Sequence, residues 1–190
     1  LFDLLNSEYD LDRYLLKGDG MNYGVNLMIH KQSGSLTGWI SCAVGRALRT
    51  FDDPDYPSVY PASHERIYEL NALCSYEYEK WQFSGTFVCA GGTPFTAPES
   101  FYLSAGNLIT KYGEYNSSRL RPYIRLDLSV NFSFRKDGRQ ENGLNISVYN
   151  VLARKNEIMW RLNIDDGTFT YRPMAFFMRM MPSISYYHKF

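Results

Sequence analysis

Apolar and polar positions alternate along most of this chain. From Tyr23 to Lys31, Tyr23, Val25, Leu27 and Ile29 share one parity, and Asn22, Gly24, Asn26, Met28 and His30 the other. A period of two puts successive side chains on opposite faces of an extended strand. Gln32-Ser33-Gly34-Ser35 then reverses the chain, and positions 36–48 form the partner strand, with Ile40, Cys42 and Val44 opposite in parity to Thr37, Trp39, Ser41 and Ala43. Positions 66–79 repeat the pattern through Tyr68, Leu70, Ala72, Cys74, Tyr76 and Tyr78. After a tight turn at Glu79-Lys80, Trp81, Phe83, Phe87 and Cys89 continue it. The clearest alternation is at 123–134, where Ile124, Leu126, Leu128, Val130, Phe132 and Phe134 oppose Tyr123, Arg125, Asp127, Ser129, Asn131 and Ser133. A polar turn over 135–142 leads to another strand at 143–150, and the chain ends MPSISYYHKF, with Ile184, Tyr186, His188 and Phe190 on one parity.

The pattern predicts about seven long strands joined by connectors that alternate between short and long. The short ones are 32–35, 79–80 and 135–142; the long ones are 49–65, 91–122 and 151–177, the last with its own hairpin around Asp165-Asp166-Gly167. Residues 1–20 read as a further outer loop ending in the turn signal Gly18-Asp19-Gly20. A loop of about thirty residues counts against a compact soluble domain. It is ordinary on an outer-membrane barrel, whose outer loops are long and periplasmic turns short. Strands of about ten residues suit a tilted barrel strand crossing a bilayer.

Charge placement agrees. Glu69, Glu77, Arg125 and Asp127 fall on the polar parity, while Lys31 and Arg46, on the apolar one, sit at strand ends. Trp81, Tyr76, Tyr78, Phe132, Phe134, Tyr186 and Phe190 gather near the short-turn ends as an aromatic girdle; Trp39 shares their level but has lumen parity. The expected fold is all-β, the C-terminal part of an antiparallel transmembrane β-barrel, multi-pass in the outer membrane. A strand ending on an aromatic residue at the C-terminus is the form a barrel's closing strand takes. Because bacterial barrels have an even strand number and an open edge in lipid is prohibitive, at least one further strand is expected upstream, and with it a secretory signal.

Candidate chemistry is sparse. The net charge of zero carries no basic footprint for nucleic acid. Cys42, Cys74 and Cys89 fall on the predicted lipid face and read as small apolar surface residues; their odd number and lack of CxxC spacing oppose a disulfide framework or a metal site. His30, His64 and His188 come from separate segments, and His64-Glu65 lacks the second histidine of a zinc helix. Gly91-Gly92-Thr93-Pro94 has no phosphate-loop continuation, and the Asn-x-Ser triplets at Asn116, Asn131 and Asn145 carry little meaning. Arg119, Arg121, Arg125 and Asp127 cluster at the lip of one strand, either as cargo contacts or as ion pairs between lumen strands. No catalytic, cofactor-binding or metal-binding residue emerges, and no enzyme is expected.

The stretches NYGVNLMIHKQSGSLTGWIS (22–41), GRALRTF (45–51), GGTPFTAPESFY (91–102), RLRPYIRLDLSVNFSF (119–134), YNVLARKN (149–156) and MPSISYYHKF span nearly the whole chain. In their order and spacing the chain resembles the C-terminal part of the barrel of a TonB-dependent outer-membrane receptor, of the type abundant in Bacteroidota. The resemblance implies a barrel of about 22 strands around a plug, of which these residues are the end. It implies active import of large nutrients such as iron chelates, cobalamin, glycans or peptides, powered by the TonB–ExbB–ExbD complex through segments upstream. Further implied partners are outer-membrane lipid, the barrel-assembly machinery, which would read Ile184, Tyr186 and Phe190 in the closing strand, and a surface lipoprotein. Loops 91–122 and 151–177, rich in Tyr and Phe, are the expected cargo contacts, through Tyr102, Tyr115, Arg119, Arg121 and Tyr171. The rival readings are a passive porin or a structural or adhesive barrel without a plug. A barrel phospholipase or protease, for which only His64 is well placed, and a soluble β-sandwich are further alternatives.

Overall fold

The computed structural model describes residues 18–51, 58–137, 140–165, 168–175 and 179–189, and every regular element among them is a strand. Seven long strands form one antiparallel meander: β1 (Gly18–Lys31), β2 (Leu36–Phe51), β4 (Tyr68–Tyr78), β5 (Trp81–Ala90), β10 (Tyr123–Asp137), β11 (Gln140–Tyr149) and β14 (Met181–Lys189). Each pairs with the long strand before it, and β3 (Tyr60–Pro61) extends the β2 ladder. The outer connectors carry smaller sheets. In one, β6 (Pro94–Phe95) pairs with β9 (Ser118–Arg119) below a hairpin of β7 (Pro98–Ser104) and β8 (Asn107–Tyr112); in the other, β12 (Glu157–Asp165) pairs with β13 (Thr168–Ala175). The sheet is not closed: β1 and β14 are its two edges.

Register keeps the alternation coherent across all seven strands. Ile29–Ile40–Ala72–Phe87–Leu126 lie in line, as do Val130–Ile146–Ile184. Slipping any strand by one residue would turn its whole apolar set over. The polar parity is equally continuous. Asn145 donates to Asn131, whose amide donates to Gln82 at 3.1 Å, and Gln82 donates to Ser75 at 3.1 Å, linking β11, β10, β5 and β4. His188, on an apolar parity, is not an isolated misfit: it stands opposite Asn142, and the two side chains hydrogen-bond.

The apolar face has no cover. Val25 is 74% exposed, Leu27 63% and Ile184 69%, while the buried apolar residues among those described are Ala47, Tyr60, Ala62, Ala90 and Leu120. The long strands touch their ladder neighbours, and among the described residues no second layer lies on the sheet, as a β-sandwich would require. At the short-turn end Trp81 packs on Phe132 at 4.5 Å between ring centres and Phe132 on Phe134 at 5.2 Å.

Several sequence boundaries shift. Gly18-Asp19-Gly20 is not a turn but the start of β1, paired with residues 49–51 of β2; a side chain at Gly18 or Gly20 would strike Phe51 or Arg49, so glycine there makes room across the ladder. The expected loop 49–65 begins only after Phe51, and the expected turn 135–142 is largely strand, since β10 runs to Asp137 and β11 starts at Gln140 with a register shift between Ser133 and Arg135. Loop 91–122 is not structureless, because 98–104 and 107–112 pair within it as the β7–β8 hairpin. The hairpin expected at 165–167 forms, and its tip residues Asp166 and Gly167, like residues 1–17 and Phe190, lie outside the described residues.

Gly38 has φ of 154°, and a Cβ there would meet the Leu73 carbonyl at 2.1 Å. Gly38→Ala should therefore destabilise the β2–β4 ladder by about 1–3 kcal/mol. Gly85→Ala, whose nearest contact is the flexible end of Leu128 at 3.3 Å, should change it far less. Amide exchange across Leu36–Val44 would show the difference.

Candidate functional site

The three long outer connectors are held onto the sheet by buried polar side chains. Between β3 and β4 the chain folds through a turn closed by Glu65 N–H donating to the Ala62 carbonyl at 2.8 Å. The turn takes up three extra residues, since Val44 pairs with Tyr68 but Leu48 with Pro61. This leaves Ala47 N–H without a strand partner, and the Glu65 carboxylate supplies one at 3.1 Å. The same oxygen accepts from Arg46 Nε at 2.6 Å, and the other oxygen accepts from the Arg119 guanidinium. Glu65 is 1% exposed, so one buried carboxylate ties β2, the turn and β9 together. Burial pushes its pKa up, but the hydrogen bonds from Arg46, Arg119 and the Ala47 amide outweigh that and hold it below the usual carboxylate range.

Asparagines complete the attachment. Asn116, buried and at φ 53°, donates to the Pro61 carbonyl at 2.8 Å while its own N–H donates to Thr96. Asn156 clamps Ile124, accepting from its N–H at 3.0 Å and donating to its carbonyl at 2.9 Å, so a side-chain amide takes the place of a strand backbone. Asn150 N–H donates to Asp127 at 2.9 Å. Gly92 is needed where it stands, because a Cβ would lie 1.7 Å from the Leu120 carbonyl.

Above this base the connectors meet through aromatic rings. Phe95 of β6 stacks on Trp160 of β12 at 5.5 Å, and Phe101 of β7 on Tyr171 of β13 at 5.4 Å. Tyr115 packs edge-on against Tyr60 at 4.7 Å. Between the connectors lies a cleft of about 380 Å³, lined by aromatic and aliphatic residues such as Phe95, Leu120, Ile158 and Trp160 together with Ser63 and Thr93, and within reach of the size range of small-ligand pockets. Burial and a hydrogen bond with Tyr112 push the Tyr171 phenol up from its ordinary value.

The expected contact residues divide accordingly. Tyr171 lines the cleft. Tyr102 faces the other way, because β7 alternates and Phe101 takes the inner position; Tyr102 is 52% exposed. Tyr115 packs on Tyr60. The arginines do not converge. Arg119 is bound to Glu65 and to the Gly92 carbonyl, Arg121 pairs with Glu157 at 3.3 Å, and Arg125 pairs with Asp127 at 3.0 Å and stacks over Tyr149. Each has a protein partner, but none of the three pairs bridges neighbouring long strands: Glu65 and Glu157 lie in the connectors and Asp127 on the same strand as Arg125. Phe95, Phe101, Tyr112 and Trp160 were not singled out from sequence; only the aromatic content of these connectors pointed toward them. Ile184 and Tyr186 are exposed on the apolar face of β14. Among the described residues no group of His, Cys, Asp and Glu could hold a metal ion, and the three cysteines are free, with Cys42 and Cys74 exposed.

No family model, curated protein or solved structure matches this chain.

Glu65→Gln should loosen the attachment of the outer connectors by about 1–3 kcal/mol, since charge-assisted hydrogen bonds are lost while Arg46, 40% exposed, is partly rehydrated. With its folded pKa below the unfolded value of about 4.3, Glu65 stabilises fully above that value, and the contribution fades as pH falls through the folded pKa. Protection of the Ala47 amide should drop on acidification in the unaltered protein and stay flat through the same window in the variant.

Proposed function

We propose that this chain is the C-terminal wall and outer-loop portion of an outer-membrane β-barrel that serves as a TonB-dependent importer of large nutrients. The observation that carries the reading is the two-faced meander: seven strands, none shorter than nine residues, with a continuous uncovered apolar face and a hydrogen-bonded polar one. A patch of that extent demands an apolar environment, and lipid on one side with a hydrated lumen on the other satisfies both faces. Short turns gather at the end that carries Trp81, Phe132 and Phe134, and long connectors with the cleft at the opposite end, as periplasmic and outer ends would require. Both open edges then pair with further strands of a barrel of about 22. The importer assignment within barrels rests on the resemblance of the motif series from Asn22 to Phe190. In this reading the TonB–ExbB–ExbD complex acts through a plug elsewhere in the protein, the assembly machinery engages β14, and a surface lipoprotein covers the mouth.

In intact cells, a cysteine placed at Ala105 or Lys155 should react with a membrane-impermeant thiol reagent, and one at Gln32 or Glu79 should not. Val130→Arg on the apolar face should destabilise the folded barrel by about 2–4 kcal/mol and lower its folded yield, where Ser129→Arg on the lumen face does not. Equal tolerance of both substitutions, or labelling at Gln32 from outside, sinks the barrel reading. Uptake that persists without TonB sinks the importer.

A further inference from the structure

The apolar face of the sheet carries a groove of about 260 Å³ at the short-turn end, across β1, β2 and β4. Ile29, Leu36 and Ile40 stand up along it, and Gly38, Ala72 and Cys74 leave it open between them. Register explains why it forms. Lys31, Gly38, Cys74 and Gly85 stand in one row across four strands, so a lysine is followed by three residues with a small side chain or none. The rows on either side are bulkier: Ile29–Ile40–Ala72–Phe87 and Leu36–Tyr76–Phe83. Gly38 cannot fill the space itself, because a Cβ there would strike the Leu73 carbonyl. The row also changes depth. Lys31 closes β1 at its turn, whereas Cys74 lies within β4, Gly85 within β5, and the next position, Leu128, well inside β10. Among the described residues Lys31 is the one charged side chain that lines the groove. Its ammonium donates to the Leu36 carbonyl at 2.9 Å, no carboxylate among the described residues pairs with it, and it carries further donors.

We propose that this groove seats one acyl chain of a phospholipid of the periplasmic leaflet, with the lipid's phosphate on the Lys31 ammonium. The proposal rests on the barrel reading, which sets this face in lipid. The phosphate stays at the level of the turns, and the chain runs from Gly38 toward Gly85, the direction in which the row leaves the turns for the middle of the strands. A groove left unfilled forfeits dispersion contacts along its lining, and a thin, flexible acyl chain restores them. A second copy of this chain is the other apolar occupant. It would press the Lys31 ammonium against another apolar face, where a cation without a partner is costly. A phosphate supplies that partner through a charge-assisted hydrogen bond. A phosphorylated lipid of the opposite leaflet would meet the long-connector end of the strands instead.

The test uses the full-length protein reconstituted in bilayers that contain phosphatidylglycerol with a diazirine midway along one chain or, separately, diacylglycerol with the same chains. After illumination, mass spectrometry reads the crosslinked positions. Phosphatidylglycerol should label residues 29–40 and 72–74 well above Val130 and Ile146, which share the apolar face away from the groove. Diacylglycerol, without the phosphate, should label the groove about fivefold less. Lys31→Gln should lower phosphatidylglycerol labelling to the diacylglycerol level, and Lys31→Arg should preserve it. Ala72→Leu combined with Cys74→Leu fills the groove with side chains that a lipid face accepts. This pair should remove the groove labelling and leave Val130 labelled, which separates loss of the site from loss of folding. The proposal is overturned by labelling spread evenly over the apolar face, by Lys31→Gln without effect, or by the leucine pair without effect. An oxidative dimer through Cys74 in a Cys42→Ala variant also overturns it, because a second copy then occupies the groove. Thiol labelling from outside intact cells keeps the two readings apart. A protein that shows the expected pattern of accessible and protected cysteines but leaves the groove unlabelled loses the lipid site and keeps the barrel; one that fails that pattern loses both.

Discussion

The backbone ladder across seven antiparallel strands is what the rest of this molecule depends on. Ordinary domains hold their sheets against a second layer, and burial of apolar area supplies most of the driving force. Here the described residues bury few apolar side chains, and none of the long aliphatic residues of the strand faces is among them. What keeps the strands in register is hydrogen bonding along the ladder and across the polar face, where Asn145, Asn131, Gln82 and Ser75 run from β11 to β4. Such a sheet is stable only where something outside it removes its apolar face from water.

Where the ladder is interrupted, side chains stand in for backbone. Glu65 gives Ala47 the acceptor that the three extra residues of the turn remove, and Asn156 gives Ile124 both a donor and an acceptor. These substitutions fall at the long-connector end, where chain must leave the sheet without orphaning its edge. They also solve a second problem. Connectors with little core of their own would wander, and anchoring them through buried polar groups brings Phe95 against Trp160 and Phe101 against Tyr171. The cleft is thus a product of its polar foundation as much as of its aromatic walls.

The arginines show the same logic from the other side. Arg119, Arg121 and Arg125 lie close in sequence and invite a reading as one cationic lip. The chain separates them because each faces a different element: β9 turns Arg119 down to Glu65, Arg121 meets Glu157 of β12, and Arg125 stays on the polar face of β10 beside Asp127.

Strand identity, face assignment and the alternation of short and long connectors were legible in the sequence, because a period of two is local and each strand repeats it over many residues. Pairing order followed from short turns, which leave a meander as the simplest path. Tertiary structure alone decided three things. Gly18 and Gly20 look like a turn in isolation, but they pair across the ladder with Phe51 and Arg49 as strand. The stretch after Ser104 reads as loop, but it pairs with 98–104, and the hairpin packs Phe101 on Tyr171 of a distant connector. Glu65 carries no periodic signal; its partners Arg46 and Arg119 lie 19 and 54 residues away. Local patterning determines which way a side chain faces, whereas a site assembled from separate connectors depends on contacts that no local period encodes.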